Sequence, residues 1–139
     1  MKFYLGEKEE GEKSLGEIRD EKKKKSIPKQ RKLPVTPGKV VHEPPLSQLI
    51  QYTPTTDTVL ATPLVIFPPW INRFYILDLT PEKSFIRWAV DQGITVFMVS
   101  WKSADAGMKE VVWDDYVEAQ IDAIDTVRAG LKVDAVHTI

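Results

Sequence analysis

Ile94-Thr95-Val96-Phe97-Met98-Val99-Ser100 is β-branched and aromatic for most of its length and carries no charge, so it reads as the strongest strand of the chain. The pattern on either side decides what kind of strand it is. Just before it, Thr80-Pro81-Glu82 reads as an N-cap, a first-turn proline and a first-turn acid. The helix that follows places Phe85, Ile86, Ala89 and Val90 on one face, and Gly93 stops it. After the strand, Trp113 to Ala129 reads as a second helix. Val117, Ile121, Ile124 and Val127 recur at threes and fours, Asp115, Glu118, Asp122 and Asp125 lie outside, and Gly130 is the stop. Val133-Asp134-Ala135-Val136-His137-Thr138-Ile139 then starts another strand.

Upstream, Pro63-Leu64-Val65-Ile66-Phe67 is a continuous apolar run closed by Pro68-Pro69, as expected of a strand buried on both faces of a parallel sheet. Farther upstream, Lys39-Val40-Val41-His42-Glu43 and Ser47 to Thr53 read as short strands between Pro37-Gly38, Pro44-Pro45 and Pro54. Strand, helix, strand, helix, strand with short connections is the α/β pattern, with right-handed crossovers expected. Two or three antiparallel strands ahead of it would extend one side of the sheet. The arrangement fits the start of an α/β-hydrolase, and also a truncated flavodoxin-like or Rossmann-type unit. A dinucleotide site would want Gly-x-Gly-x-x-Gly directly after a strand, whereas the strand at 64–67 runs into Pro-Pro-Trp.

The chain has 139 residues, 42% apolar and 28% charged, with no cysteine and a formal net charge of -1. That length suits one domain burying about two thirds of its unfolded surface. No apolar run approaches the roughly 18 residues of a membrane span, and no signal-peptide core stands at the N-terminus, so transmembrane and secreted readings are disfavoured. Without cysteine these residues supply no disulfide, no Cys-based zinc or iron–sulfur site and no thiol nucleophile.

The near-neutral total hides two unlike parts. Residues 1–32 hold eleven Lys/Arg and seven Asp/Glu, a net of +4; the remainder holds eight and thirteen, a net of -5, together with all four Trp. The chain divides into a charged arm at 1–34, too poor in apolar surface to offset its ordering entropy, and an α/β segment at 35–139. Lys22 to Lys25, Lys29, Arg31 and Lys32 form a basic cluster without the interleaved aromatics that base stacking needs, so the arm is read as solvated and not as a nucleic-acid binder.

One string carries a resemblance. Pro68-Pro69-Trp70-Ile71-Asn72-Arg73-Phe74-Tyr75-Ile76-Leu77-Asp78-Leu79 resembles a hallmark of the polyhydroxyalkanoate (poly-beta-hydroxybutyrate) synthases, the bacterial polyester polymerases. Thr36-Pro37-Gly38-Lys39-Val40-Val41, Gln48-Leu49-Ile50-Gln51-Tyr52, Val99-Ser100-Trp101-Lys102 and Trp113-Asp114-Asp115-Tyr116 match that family, particularly its class I-like members, in the same order and spacing. The resemblance runs from about residue 35 onward and leaves the charged arm uncovered.

It implies an α/β-hydrolase core in which a cysteine on a Gly-x-Cys-x-Gly-Gly elbow, activated by histidine with an aspartate assisting, carries the growing polyester as a thioester. It implies 3-hydroxyacyl-coenzyme A as substrate, no separate cofactor, and a cytoplasmic, granule-associated setting. The strand matching 133–139 leads into that elbow, so the nucleophile, its aspartate and its histidine are expected beyond Ile139. The chain alone is then expected to be an inactive part of an acyltransferase. The alternatives are a non-catalytic remnant that pairs through its exposed sheet edge, or a small acyl-binding module.

In that fold one oxyanion donor comes from the loop after the strand matching 64–67, here Trp70, Ile71 and Asn72, with the backbone N–H near Ile71 the expected donor. His137 lies upstream of the expected elbow, whereas the family's base lies far downstream, so His137 and His42 are read as structural. Asp114 and Asp115 point about 100° apart on a helix and suit its N-terminus better than a shared ion. Tyr75, Trp88, Trp101, Trp113 and Tyr116 are read as core rather than as an acyl site, and no metal-ligand cluster or phosphate loop is visible.

Overall fold

A computed structural model describes residues 34–139. The segment expected as a charged arm lies outside the described residues except for Pro34. The described part is built on a five-stranded mixed sheet. Its strands are β1 (Gly38–His42), β2 (Ser47–Tyr52), β3 (Leu64–Ile66), β4 (Val96–Trp101) and β5 (His137–Thr138), in the order β1-β2-β4-β3-β5. β1 pairs with β2 and β2 with β4 antiparallel, while β3 runs parallel to both β4 and β5. Helix α1 (Phe85–Asp91) connects β3 to β4, and α2 (Trp113–Leu131) connects β4 to β5. The α/β alternation with an antiparallel extension on one side is therefore present.

β4 sits inside the sheet and divides the core by parity, because alternate side chains leave a strand on opposite faces. Val96 and Met98 join Ile50, Tyr52 and Ile66 against Ile86, Ala89 and Val90 of α1. Phe97, Val99 and Trp101 join Leu49 and Val65 against Ala123 and Val127 of α2. Both faces of the β4 region are thus covered, which is why its sequence shows no polar alternation. Gly38 lies so close to β2 that a Cβ there would stand 3.0 Å from the Gln51 carbonyl oxygen.

The structure corrects four expectations. First, Pro81–Lys83 forms a separate 3-10 turn, and the N-cap of α1 is Ser84 rather than Thr80: its Oγ accepts from the Arg87 N–H at 2.8 Å. Starting there turns Phe85 outward, stacked on Trp88 with ring centroids 5.8 Å apart, while Gly93, at φ 77°, does end the segment.

Second, α2 meets the sheet through Tyr116, Ala119, Ala123 and Val127. The small alanines let the helix approach closely; Val117 and Ile121, more than 100° around the helix from that face, stay exposed. Third, α2 runs through Gly130 to Leu131 and is capped by Lys132. That residue takes the left-handed conformation (φ 56°, ψ 47°) and returns its N–H to the Arg128 carbonyl. Fourth, only His137 and Thr138 of the stretch 133–139 form a strand. Val136 instead packs beneath α2 against the second core layer.

A buried carboxylate fastens the start of the described chain to the middle. Asp78 is fully buried and accepts hydrogen bonds from the Thr36 N–H (2.8 Å), the Thr36 hydroxyl (2.7 Å) and the Ser84 hydroxyl. Ser84 thereby serves both this network and the cap of α1.

Candidate functional site

β3, β4 and β5 are parallel, so their carboxyl ends lie on one side of the sheet, the side on which open α/β sheets place their ligand sites. The chain leaves β3 through Phe67, whose N–H donates to the Ile139 carbonyl at 2.8 Å, and enters Pro68-Pro69. Prolines donate no backbone hydrogen bond and hold φ near −65°, so sheet pairing ends there and a turn begins. The turn closes with the Asn72 N–H on the Pro69 carbonyl at 2.9 Å, leaving Trp70 and Ile71 at its tip.

That bond separates the three residues singled out from sequence. The Asn72 N–H is occupied. The Trp70 and Ile71 N–H groups donate to no described group, and of the two residues Ile71 is the more exposed, at 92%. Trp70 is half-exposed and lies over α2, its ring 4.6 Å from that of Trp113 and 4.7 Å from that of Tyr116. Tyr116 in turn meets Trp101 edge-on at 5.4 Å.

Trp101 anchors the arrangement. It is buried at the end of β4, and its indole N–H donates to the Pro68 carbonyl at 2.7 Å, satisfying a buried oxygen. The aromatic set expected as core therefore divides. Trp101 and Tyr116 pack as expected, Trp113 is exposed on the rim beside Trp70, and Trp88 lies on α1 with Phe85.

A cavity of about 210 Å³ borders the turn, lined by Asn72, Arg73, Phe74, Tyr75, Ser100 and Trp101. Arg73 donates from the cavity lining to the Ser103 hydroxyl at 2.8 Å. Sequence reading missed this residue, the Trp101–Pro68 bond and the Asp78 network as separate features. Trp101 could have been found, because it shares its strand parity with Phe97 and Val99. The other two depend on contacts across 30 and 42 residues, for which spacing gives no signal.

The remaining candidates are structural in their contacts. The Asp115 carboxylate accepts the Val112 N–H at 2.7 Å at the start of α2, half of a capping box, since valine offers no oxygen in return. His42 meets Asp122 at 2.7 Å, fastening β1 to α2, and His137 is exposed on β5. Among the described residues no group of His, Asp or Glu side chains is placed to hold a metal ion. No helix among them is long and apolar enough to cross a membrane.

The fold and the turn together define an α/β protein with a backbone donor and an aromatic rim at the carboxyl ends of its parallel strands. Comparison with known proteins carries this further. Residues 8–89 match the family described as "Poly-beta-hydroxybutyrate polymerase (PhaC) N-terminus", and the chain belongs to that family. The match reaches back to residue 8, inside the charged segment that the motif resemblance left uncovered. A poly(3-hydroxyalkanoate) polymerase subunit from Rhizobium etli is 52% identical over 110 residues, covering 78% of this chain and 17% of that protein. The corresponding subunit from Cupriavidus necator is 54% identical over 99 residues, covering 70% and 17%. A poly(3-hydroxyalkanoate) polymerase from Methylorubrum extorquens is 53% identical over 94 residues, covering 67% and 16%. The chain spans about a sixth of the length of these curated relatives.

Proposed function

We propose that this chain is the N-terminal part of an α/β-hydrolase sheet in a poly(3-hydroxyalkanoate) polymerase. In this reading it supplies the acyl-side wall of the site rather than the nucleophile. Membership of the family supports the reaction class: transfer of 3-hydroxyacyl units from 3-hydroxyacyl-coenzyme A onto a growing polyester. The observation that carries the local role is the exposed Ile71 N–H at the tip of the turn after β3, which has no acceptor among the described residues. A tetrahedral intermediate of acyl transfer concentrates negative charge on one oxygen, and a rigid N–H aimed at that oxygen stabilises it without reorganising. Pro68-Pro69 and the Trp101–Pro68 bond hold the turn, and Trp70 with Trp113 offers an apolar rim for an acyl chain.

The thiol is not among these 139 residues, since none is cysteine. Binding without turnover is the consequence. Titration with 3-hydroxybutyryl-coenzyme A should quench tryptophan fluorescence saturably, and Ile71→Pro, which removes the N–H, should weaken the effect. Release of coenzyme A above a protein-free control would show that these residues carry a nucleophile of their own. A linear, non-saturating response would remove the acyl-site reading.

A second reading is favoured by the edge position of β5, which pairs only with β3 among the described residues. An unpaired strand edge is a template for another chain. Self-association through this edge should appear as concentration-dependent sedimentation that Thr138→Pro reduces; a monomer at all concentrations argues against it.

A further inference from the structure

We propose that Arg73 is an anion-binding residue that takes a phosphate of the coenzyme A carrier, from its place in the lining of the cavity beside the Ile71 turn. The inference rests on the acyl-site reading above and adds to it the part of the substrate that this chain holds by charge.

Charge pairing sets Arg73 apart from the other two arginines of the described residues, Arg87 and Arg128. Arg87, Lys102, Lys109 and Arg128 each lie within reach of a carboxylate, at 3.8, 3.0, 3.7 and 3.3 Å. Arg73 makes no such pair among the described residues; its contact is with the neutral Ser103 hydroxyl at 2.8 Å. A guanidinium has five N–H donors and no acceptor, so most of its fork is left for an incoming group. Its planar geometry matches two phosphate oxygens at once.

The side chain is also held in place. Ser103 tethers it from the loop after β4, and Arg73 is the residue that ends the turn and begins the 3-10 segment Phe74–Leu77. Its other cavity neighbours, Asn72, Tyr75 and Ser100, are polar and uncharged, so no carboxylate competes for the anion. Two residues of backbone separate Ile71 from Arg73, at most about 7 Å. The flexible pantetheine arm joining a thioester to its phosphates exceeds that span, so the bound arm bends.

The experiment compares coenzyme A, dephospho-coenzyme A and pantetheine on the full chain, by fluorescence titration or calorimetry at low salt. Coenzyme A is expected to bind more tightly than pantetheine. Arg73→Gln should weaken coenzyme A about tenfold or more, Arg73→Lys less, and pantetheine should respond to neither. Ser103→Ala, which frees the fork without removing charge, should give an intermediate loss. Dephospho-coenzyme A separates the sources: retained sensitivity to Arg73→Gln assigns the diphosphate, lost sensitivity the 3′-phosphate. Equal affinities of wild type and Arg73→Gln for coenzyme A, or of coenzyme A and pantetheine for the wild type, would overturn the proposal. 3-Hydroxybutyryl-pantetheine keeps the two readings apart. If it binds saturably while Arg73→Gln leaves coenzyme A unaffected, the phosphate contact is refuted and the acyl site stands. If it does not bind while Arg73→Gln weakens coenzyme A, the acyl site is refuted instead.

Discussion

Replacing Asp78 by alanine removes a fully buried carboxylate that accepts three hydrogen bonds: from the Thr36 N–H at 2.8 Å, the Thr36 hydroxyl at 2.7 Å and the Ser84 hydroxyl. The two hydroxyls can rotate toward other acceptors, but the Thr36 N–H is fixed by the backbone and is left unpaired. Hydrogen bonds to a charged acceptor contribute about 1.5–3 kcal/mol each, not additively, and part of that is offset by the cost of burying the carboxylate. Three lost charge-assisted bonds and the unpaired Thr36 N–H, less the desolvation of the carboxylate, come to about 3–5 kcal/mol for Asp78→Ala. Asp78→Asn keeps one acceptor oxygen but sets an amide N–H against one of the donors, for a loss of about 2–3 kcal/mol. Against a total of about 5–15 kcal/mol for a domain, the alanine variant gives up about a fifth or more. With a urea slope of about 2 kcal/mol/M, its midpoint falls by about 2 M. Urea titration by far-ultraviolet circular dichroism and tryptophan fluorescence, at one protein concentration, measures this. Variants that both unfold within about 0.5 kcal/mol of wild type would refute the network.

Tyr52 lies against the same region, and its buried hydroxyl has no partner among the described residues. Tyr52→Phe should therefore cost nothing, or stabilise by up to about 1 kcal/mol in the same titration. Burial first, and then the charge of Asp78, raise the Tyr52 pKa well above its usual value near 10. The unfolded chain then ionises first, so stability is full below about pH 10 and falls as pH rises further; Tyr52→Phe should flatten that decline in alkaline melts. Lys132→Gly relieves a left-handed residue at the end of α2 and should raise the melting temperature by a few degrees, about 0.5–1 kcal/mol. Trp101→Phe leaves the Pro68 carbonyl without its indole donor and should cost about 1–3 kcal/mol. It should also loosen Trp70, read as a red-shifted emission; an unchanged spectrum and midpoint would show that the turn does not depend on Trp101.

The order of elements was readable because each depends on neighbours in sequence. The uncharged run at 94–100 and the apolar run closed by Pro68-Pro69 became β4 and β3, and Gly93 ended the segment before β4. The turn at Trp70–Asn72 was readable for the same reason, since prolines act locally. The cap of α1 was misplaced because Thr80 and Ser84 are both competent caps, and only Ser84 is also held by Asp78, 6 residues away.

What the amino-acid sequence determined alone is the α/β alternation, the family, and the absence of a thiol from these residues. The tertiary structure decided which face of α2 meets the sheet, that of the three turn residues Asn72 has its N–H occupied, and that Arg73 lacks a carboxylate partner among the described residues. The apolar arc of α2 is wider than the sheet covers, and periodicity weighs all of it equally. The choice went to Ala119 and Ala123 because small side chains let two surfaces approach, and that preference exists only once there is a second surface to approach.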